Sequence, residues 1–279
     1  MSVTLSKSKE VIALEDKHGA HNYHPLPVVL SRGQGVYVWD VEGKRYFDFL
    51  SAYSAVNQGH CHPKIINALK DQAEKLTLTS RAFYNDVLGR FEAFATTMFG
   101  FDKILPMNTG AEGVETALKI CRKWGYERKG VPENEGVIIV CENNFHGRTT
   151  TIISFSNDEN ARKNFGPYTP GFIKVAYDDL AALEAALKTP NVIGFLVEPI
   201  QGEAGVYVPS DDYITKAATL CRNNDTLFIA DEIQTGIART GSLLRICGDC
   251  TCAHKCERQQ TYTRPDILIL GKALSGGAY

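Results

Sequence analysis

A doubly wound, mostly parallel α/β sheet is the architecture this sequence predicts, on three observations. From residue 103 onward, short apolar runs alternate with stretches of helical periodicity. The runs are continuously apolar, as strands covered by helices on both faces must be. Polar residues gather directly after them, at the strand ends where open α/β sheets bind their ligands.

Taken in order, the first hundred residues read differently from the rest. "GVYVWDVEGKRYFDFL" alternates apolar and polar residues around "VEGK", a β-hairpin pattern. "HPKIINALKDQAEKLT" has Pro63 where a helix starts and Ile65, Ile66, Leu69 and Ala73 on one face. A further helix is expected in "VLGRFEAFATTMF". Residues 1–100 are therefore expected to form an N-terminal segment, and 101–279 a large domain. In that domain strands are expected at "KILPMN", "GVIIVCE", "VIGFLVEP", "TLFIADE" and "DILILGK". Helices are expected at "GVETALKICRKWGYE", "DDLAALEAALK" and "DDYITKAATLCRN".

Composition narrows the function. The 279 residues carry 30 basic and 32 acidic side chains, a net charge of −2, so no global field favours nucleic acid or an anionic membrane. No apolar run approaches the ~20 residues needed to cross a bilayer. The N-terminus has neither a signal core nor transit-peptide character, so a cytoplasmic protein is expected. Small molecules are the expected partners.

The strand ends hold specific chemistry. Lys272 follows the apolar "DILILG"; burial would favour its neutral amine, a nucleophile toward carbonyl carbon. A lysine capping a sheet edge is the alternative. Asp231 ends "FIAD", where a buried carboxylate needs a cationic or hydrogen-bonding partner. A protonated pyridine nitrogen would serve, and so would the start of a following helix. Gly110 and Ala111 open a helix after Asn108 and Thr109, leaving free N–H groups for an anion, while Thr109 with Glu112 also fits a capping box. Phe145 could stack on a ring, and Arg148 could hold a carboxylate, unless the two are a packed side chain and a solvated one in a plain turn.

Together "NTGAEGVETALK", "NNFHGRTT", "EPIQGEAG", "FIADEIQTGIARTG" and "PDILILGKALSGG" closely resemble the class-III, pyridoxal-phosphate-dependent aminotransferases of fold type I. Within that class "HNYHPLPVVL", "FDFLSAYSAVNQGHCHPKI", "LTLTSRAFYN" and "RKWGY" resemble the ornithine-type members more than those acting on acetylornithine or 4-aminobutyrate. The resemblance implies transfer of the δ-amino group of L-ornithine to 2-oxoglutarate, with pyridoxal 5'-phosphate as cofactor. A homodimer is implied, as is a place in proline metabolism. Lys272 then matches the lysine that carries the cofactor, and Asp231 the partner of the ring nitrogen. Gln234 matches a neighbour of the ring oxygen, Gly110 and Ala111 the phosphate site, and Phe145 the stacking aromatic. Tyr23, Tyr53 and Arg148 match groups around the ornithine carboxylate, and Glu203 a gate that pairs with a distal arginine. Family members continue past this lysine into a C-terminal small domain. This chain is thus expected to be an incomplete large domain, and an inactive fragment is the rival from another class.

One stretch departs from the family pattern. Between Gly241 and Arg264 an insertion holds Cys247, Cys250, Cys252 and Cys256. Zinc, a redox-sensitive thiol cluster and an insertion without special role are the three readings, and the crowded spacing is unlike two separated CxxC knuckles.

Overall fold

The computed structural model describes residues 6–247 and 264–278. Contacts group the chain into two compact units, Met1–Leu78 with Ser275–Tyr279, and Thr79–Leu274. The division falls at Leu78, ahead of the change of sequence pattern near residue 100.

In the first unit, Ser6 caps α1 (Lys7–His18) by accepting the Lys9 N–H at 3.4 Å. Strands β1 (Leu30–Gln34), β2 (Tyr37–Asp40) and β3 (Arg45–Phe47) form an antiparallel sheet, and the expected hairpin is its β2–β3 pair. Its turn is organised by Asp40. Tyr46 donates to this carboxylate at 2.7 Å and the amides of Lys44 and Glu42 at 2.8 and 3.1 Å, which holds the carboxyl below its usual range. Next comes α2 (Ser51–Ser54), a single turn whose four residues all have positive φ, between 47° and 74°. Left-handed backbone is costly outside glycine, and Tyr53 sits within it. Helix α3 (Pro63–Ala73) begins at the expected proline.

The second unit opens with α4 (Leu88–Phe99), closed by Gly100 at φ 73°, where a left-handed C-cap favours glycine. Helix α5 (Gly110–Trp124) widens into a π-helical turn over Gly125–Lys129. Five parallel strands follow: β4 (Val137–Cys141), β5 (Phe172–Val175), β6 (Val192–Val197), β7 (Leu227–Asp231) and β8 (Ile267–Ile269). Between them lie α6 (Glu159–Arg162), α7 (Leu180–Leu187) and α8 (Tyr213–Asn223). The spatial order is β5-β4-β6-β7-β8, so the winding direction reverses between β4 and β6. A crevice for ligands is expected beyond the carboxyl ends of strands at such a switch point.

Alternate residues of each strand serve opposite cores, which explains why the strands read as unbroken apolar text. Ile139, Cys141, Phe195 and Phe228 pack with Leu183 of α7 and with Tyr213 and Cys221 of α8. Ile138, Val140, Leu196 and Ile229 pack with Val114, Leu118 and Cys121 of α5. Gly194, in the middle of β6, makes room for α5: a Cβ there would stand 2.4 Å from the Cys121 Sγ. Gly194→Ala is accordingly expected to cost about 1–3 kcal/mol of stability through overpacking. An unchanged denaturant midpoint would mean that α5 yields to the added methyl.

Two sequence expectations need correction. "KILPMN" lies in no strand: Pro106 lacks an N–H for a ladder, and Leu105 and Met107 stand 56% and 40% exposed rather than buried. Strand β5, "FIKV", was not among the expected strands; it is an edge strand paired only with β4 and interrupted by Lys174.

Candidate active site

The strand ends at the switch point carry a cluster of ionisable groups. Asp231, the last residue of β7, is buried, and His146, in the turn after β4, is fully enclosed. Their side chains meet at 2.6 Å between the Asp231 Oδ2 and the His146 Nδ1. The other Asp231 oxygen accepts the Ile233 N–H at 3.1 Å, an Asx turn rather than the helix cap the sequence allowed. Burial disfavours a charged His146, yet its hydrogen bond to Asp231 and the charge of that carboxylate prevail, and its pKa is raised. The His146 Nε2 is buried and has no hydrogen-bond partner among the described residues.

Glu198 follows β6 and is also buried. Its Oε2 accepts the Phe145 N–H at 3.0 Å, and the Tyr177 hydroxyl donates to its backbone carbonyl at 3.1 Å. Burial, with the negative charges of Asp231 and Glu203 nearby, pushes its carboxyl up to about 7 although His146 works the other way. In the sequence Glu198 stands out only as one of several polar residues after a strand. His146 has no evident partner there, because neither the 85-residue separation from Asp231 nor their approach is visible in a local pattern.

Lys272 lies just past β8 with its backbone at φ 44°, in the left-handed region that non-glycine residues seldom occupy. Burial lowers its pKa, opposed by Glu203, Asp231 and Glu198, which favour the ammonium. Burial and three carboxyl groups thus shape the field in which this amine sits. Gln234 donates to the Glu203 Oε1 at 2.9 Å, and Gly202 allows that approach: a Cβ there would lie 1.7 Å from the Gln234 Oε1. In this structure Gln234 is a hydrogen-bond partner of Glu203.

Helix α5 opens at the residues expected to bind an anion. Thr109 caps it through the Glu112 N–H at 3.1 Å, Glu112 accepts the Asn108 N–H at 2.8 Å, and the first backbone bond of the helix is made only by the Gly113 N–H. The amides of Gly110 and Ala111 precede that bond, at the positive end of the helix dipole. Small residues pack around this helix start: a Cβ on Gly110 would come 2.9 Å from Ile233, and one on Gly147 would come 2.9 Å from the Ala111 Cβ.

Phe145 is about one-third exposed, and the Arg148 guanidinium lies 5.9 Å from its ring centre. Tyr23 and Tyr53 belong to the first unit, so their expected part in the substrate pocket is taken up below as a proposal. Cys247 ends a short 3-10 turn, Arg245–Cys247, whose Ile246 N–H is held by the buried Glu232 at 2.8 Å. The other three cysteines of the suspected metal or redox cluster lie outside the described residues. Among the described residues, no group of three or more His, Cys, Asp or Glu side chains could hold a metal ion.

A lysine whose ammonium is disfavoured by burial, a buried carboxylate at a strand end and a helix opening on small residues, all in one unit built on a parallel sheet, fit an aminotransferase large domain of fold type I. The chain belongs to the aminotransferase class-III family, whose model matches residues 18–279. It is similar to the mitochondrial ornithine aminotransferase of Drosophila ananassae, at 62% identity over 98% of this chain and 61% of that protein. The ornithine aminotransferase structure from Toxoplasma gondii superposes with a TM-score of 0.92 at 50% identity, over 99% of this chain and 62% of that one. An acetylornithine aminotransferase structure from Elizabethkingia anophelis gives 0.82 at 56% identity, over 99% and 63%. The chain thus spans about six tenths of the length of the relatives it matches.

Proposed function

We propose that this chain is the cofactor-binding part of an ornithine δ-aminotransferase, moving the δ-amino group of L-ornithine to 2-oxoglutarate with pyridoxal 5'-phosphate. The observation that carries this reading is the partly desolvated Lys272 in the field of Asp231, Glu198 and Glu203. When bound, pyridoxal phosphate supplies a ring that withdraws electrons from the carbon bearing the amine. Lys272 is the residue that would hold the cofactor through its aldehyde carbon, and its amine would be placed to move the proton during the transfer. Asp231, kept in place by His146 and the Ile233 amide, would offer its carboxylate to the ring nitrogen. Gly110 and Ala111 would hold the phosphate, Phe145 would cover the ring face, and Gln234 would be the neighbour of the ring oxygen. Tyr23, Tyr53 and Arg148 hold the α-carboxylate of ornithine. Anchoring it away from Lys272 presents the distal amine. Glu203 pairs with an arginine while ornithine is bound and frees it for 2-oxoglutarate; its bond to Gln234 is an alternative resting partner.

The test is the visible spectrum of the chain with pyridoxal phosphate, beside Lys272→Ala, before and after L-ornithine. A lysine-dependent visible band that ornithine bleaches is expected. A band indifferent to Lys272, or unmoved by ornithine, would overturn the reading. The 56% identity to the acetylornithine enzyme favours one second reading, a preference for acetylornithine. A larger kcat/KM for acetylornithine or 4-aminobutyrate than for ornithine would select it or its 4-aminobutyrate counterpart.

A homodimer and a role in proline metabolism follow from the same reading, and size-exclusion chromatography at the monomer mass would refute the first. Among the described residues no helix is long and apolar enough to cross a membrane. Cytoplasmic placement is part of the same proposal, and fractionation that finds the protein in mitochondria, as the fruit-fly relative is named, would refute it.

A further inference from the structure

The turn after β4 delivers two consecutive residues to the cofactor site, Phe145 and His146, and it must be held from outside itself. Asn144 braces its base, donating to the carbonyls of Cys141 at 2.6 Å and Phe155 at 3.3 Å. The next amide, that of Phe145, leaves the turn altogether and bonds the Glu198 carboxylate across the switch point, 53 residues away in the chain. Strands β6 and β7 are parallel neighbours with Val197 opposite Ala230, so Glu198 and Asp231 occupy matching positions one residue further on. Glu198 therefore stands beside the carboxylate that His146 reaches, while gripping the residue before His146.

Building on the function proposed above, we propose that Glu198 is a positioning residue for the cofactor ring: by holding the Phe145 amide it fixes the one turn that carries both the ring-covering Phe145 and the His146 partner of Asp231. Its own charge adds a second effect. The groups that face it are His146 and Cys141 from β4 and its turn, Tyr177 after β5, Asp231 of β7, Glu203 in the loop after β6, and Lys272 after β8. With Lys272 and His146 positive, three ionised carboxylates would leave a net negative site. A proton on Glu198 leaves it neutral. Because its carboxyl lies at about 7, Glu198 changes charge in the neutral range and alters the field at both cations.

The experiment compares Glu198→Ala and Glu198→Gln with the wild-type chain in three readouts. Without cofactor, amide hydrogen exchange at Phe145 is expected to quicken about tenfold in E198A, the loss of one charged-acceptor hydrogen bond, and to stay within about twofold in E198Q, whose side-chain carbonyl can still accept. Affinity for pyridoxal phosphate is expected to follow the same pattern, about tenfold weaker in E198A and near wild type in E198Q. The pH titration of the bound cofactor's visible band is expected to superpose for wild type and E198Q below about pH 6, where Glu198 is neutral in both, and to separate above about pH 8. Its midpoint falls in E198Q, because the absent negative charge no longer favours protonated neighbours. Should E198A fail to fold, E198Q carries the test through the pH separation. Unchanged Phe145 exchange in E198A, E198Q as impaired as E198A, or titrations that superpose throughout would each overturn the proposal. If wild type itself binds no pyridoxal phosphate, the functional reading fails, while the exchange arm still decides whether Glu198 holds the turn.

Discussion

Lys272→Ala is expected to abolish the proposed amino transfer, lowering turnover at least about ten-thousandfold, since it would remove the proposed nucleophile and general acid–base group together. The geometry sharpens that expectation. Lys272 is held at φ 44° just past β8, and its ammonium is disfavoured by burial while Glu203, Asp231 and Glu198 support it. A lowered lysine pKa means that folding disfavours the charged form. The resulting destabilisation is present below the folded-state pKa and fades as pH rises through the unfolded value near 10.4. K272A is therefore expected to be at least as stable as wild type at pH 7 in the absence of cofactor. Single-turnover kinetics with L-ornithine and a thermal melt check the two halves. A variant retaining a tenth of the activity, or one that melts well below wild type, would remove Lys272 from the role assigned to it.

Asp231→Asn is the second large effect. The substitution keeps the shape but removes the charge that faces His146 at 2.6 Å and that the proposed ring nitrogen would meet. Leaving a buried cation without its partner costs about 3–5 kcal/mol, which corresponds to a loss of roughly two to four powers of ten in cofactor affinity or turnover. The same pair makes a prediction about stability. Because the His146 pKa is raised on folding, the pair stabilises the chain fully below the unfolded histidine value near 6.5, and this contribution is lost as pH rises through the folded value. D231N is expected to lose that contribution, so its deficit relative to wild type should be largest at pH 6 and shrink toward alkaline pH. A deficit independent of pH would show that His146 is not charged in the folded chain.

Much of the fold and of this site is legible in the amino-acid sequence. The continuous apolar strands "VIIVC", "VIGFLV" and "LFIAD" can be placed because burial on both faces demands uninterrupted apolar text, and β4, β6 and β7 appear there. "KILPMN" fails the same test for a reason also present in the sequence, since Pro106 cannot donate to a ladder. The edge strand β5 is hidden because an edge tolerates a residue such as Lys174 and so breaks the pattern. The positions of Asp231, Gly110 and Ala111 follow from ending β7 or opening α5, whereas the strand expected to run to Lys272 stops at Ile269 and Lys272 opens a 3-10 turn beyond it.

The sequence by itself determined the α/β class, the strand ends on which chemistry could sit, and the family in which Lys272 and Asp231 have counterparts. All of these depend on local periodicity or on motifs a few residues long. Only the tertiary structure decided which groups meet: His146 on Asp231, Glu198 on the Phe145 amide, and Gln234 on Glu203. Those contacts join residues 31 to 85 positions apart, brought together by a sheet order in which β6 returns beside β4. The balance between burial and charge that sets Glu198 near 7 exists only once that packing is complete, because desolvation belongs to the assembled strand ends and to no segment alone.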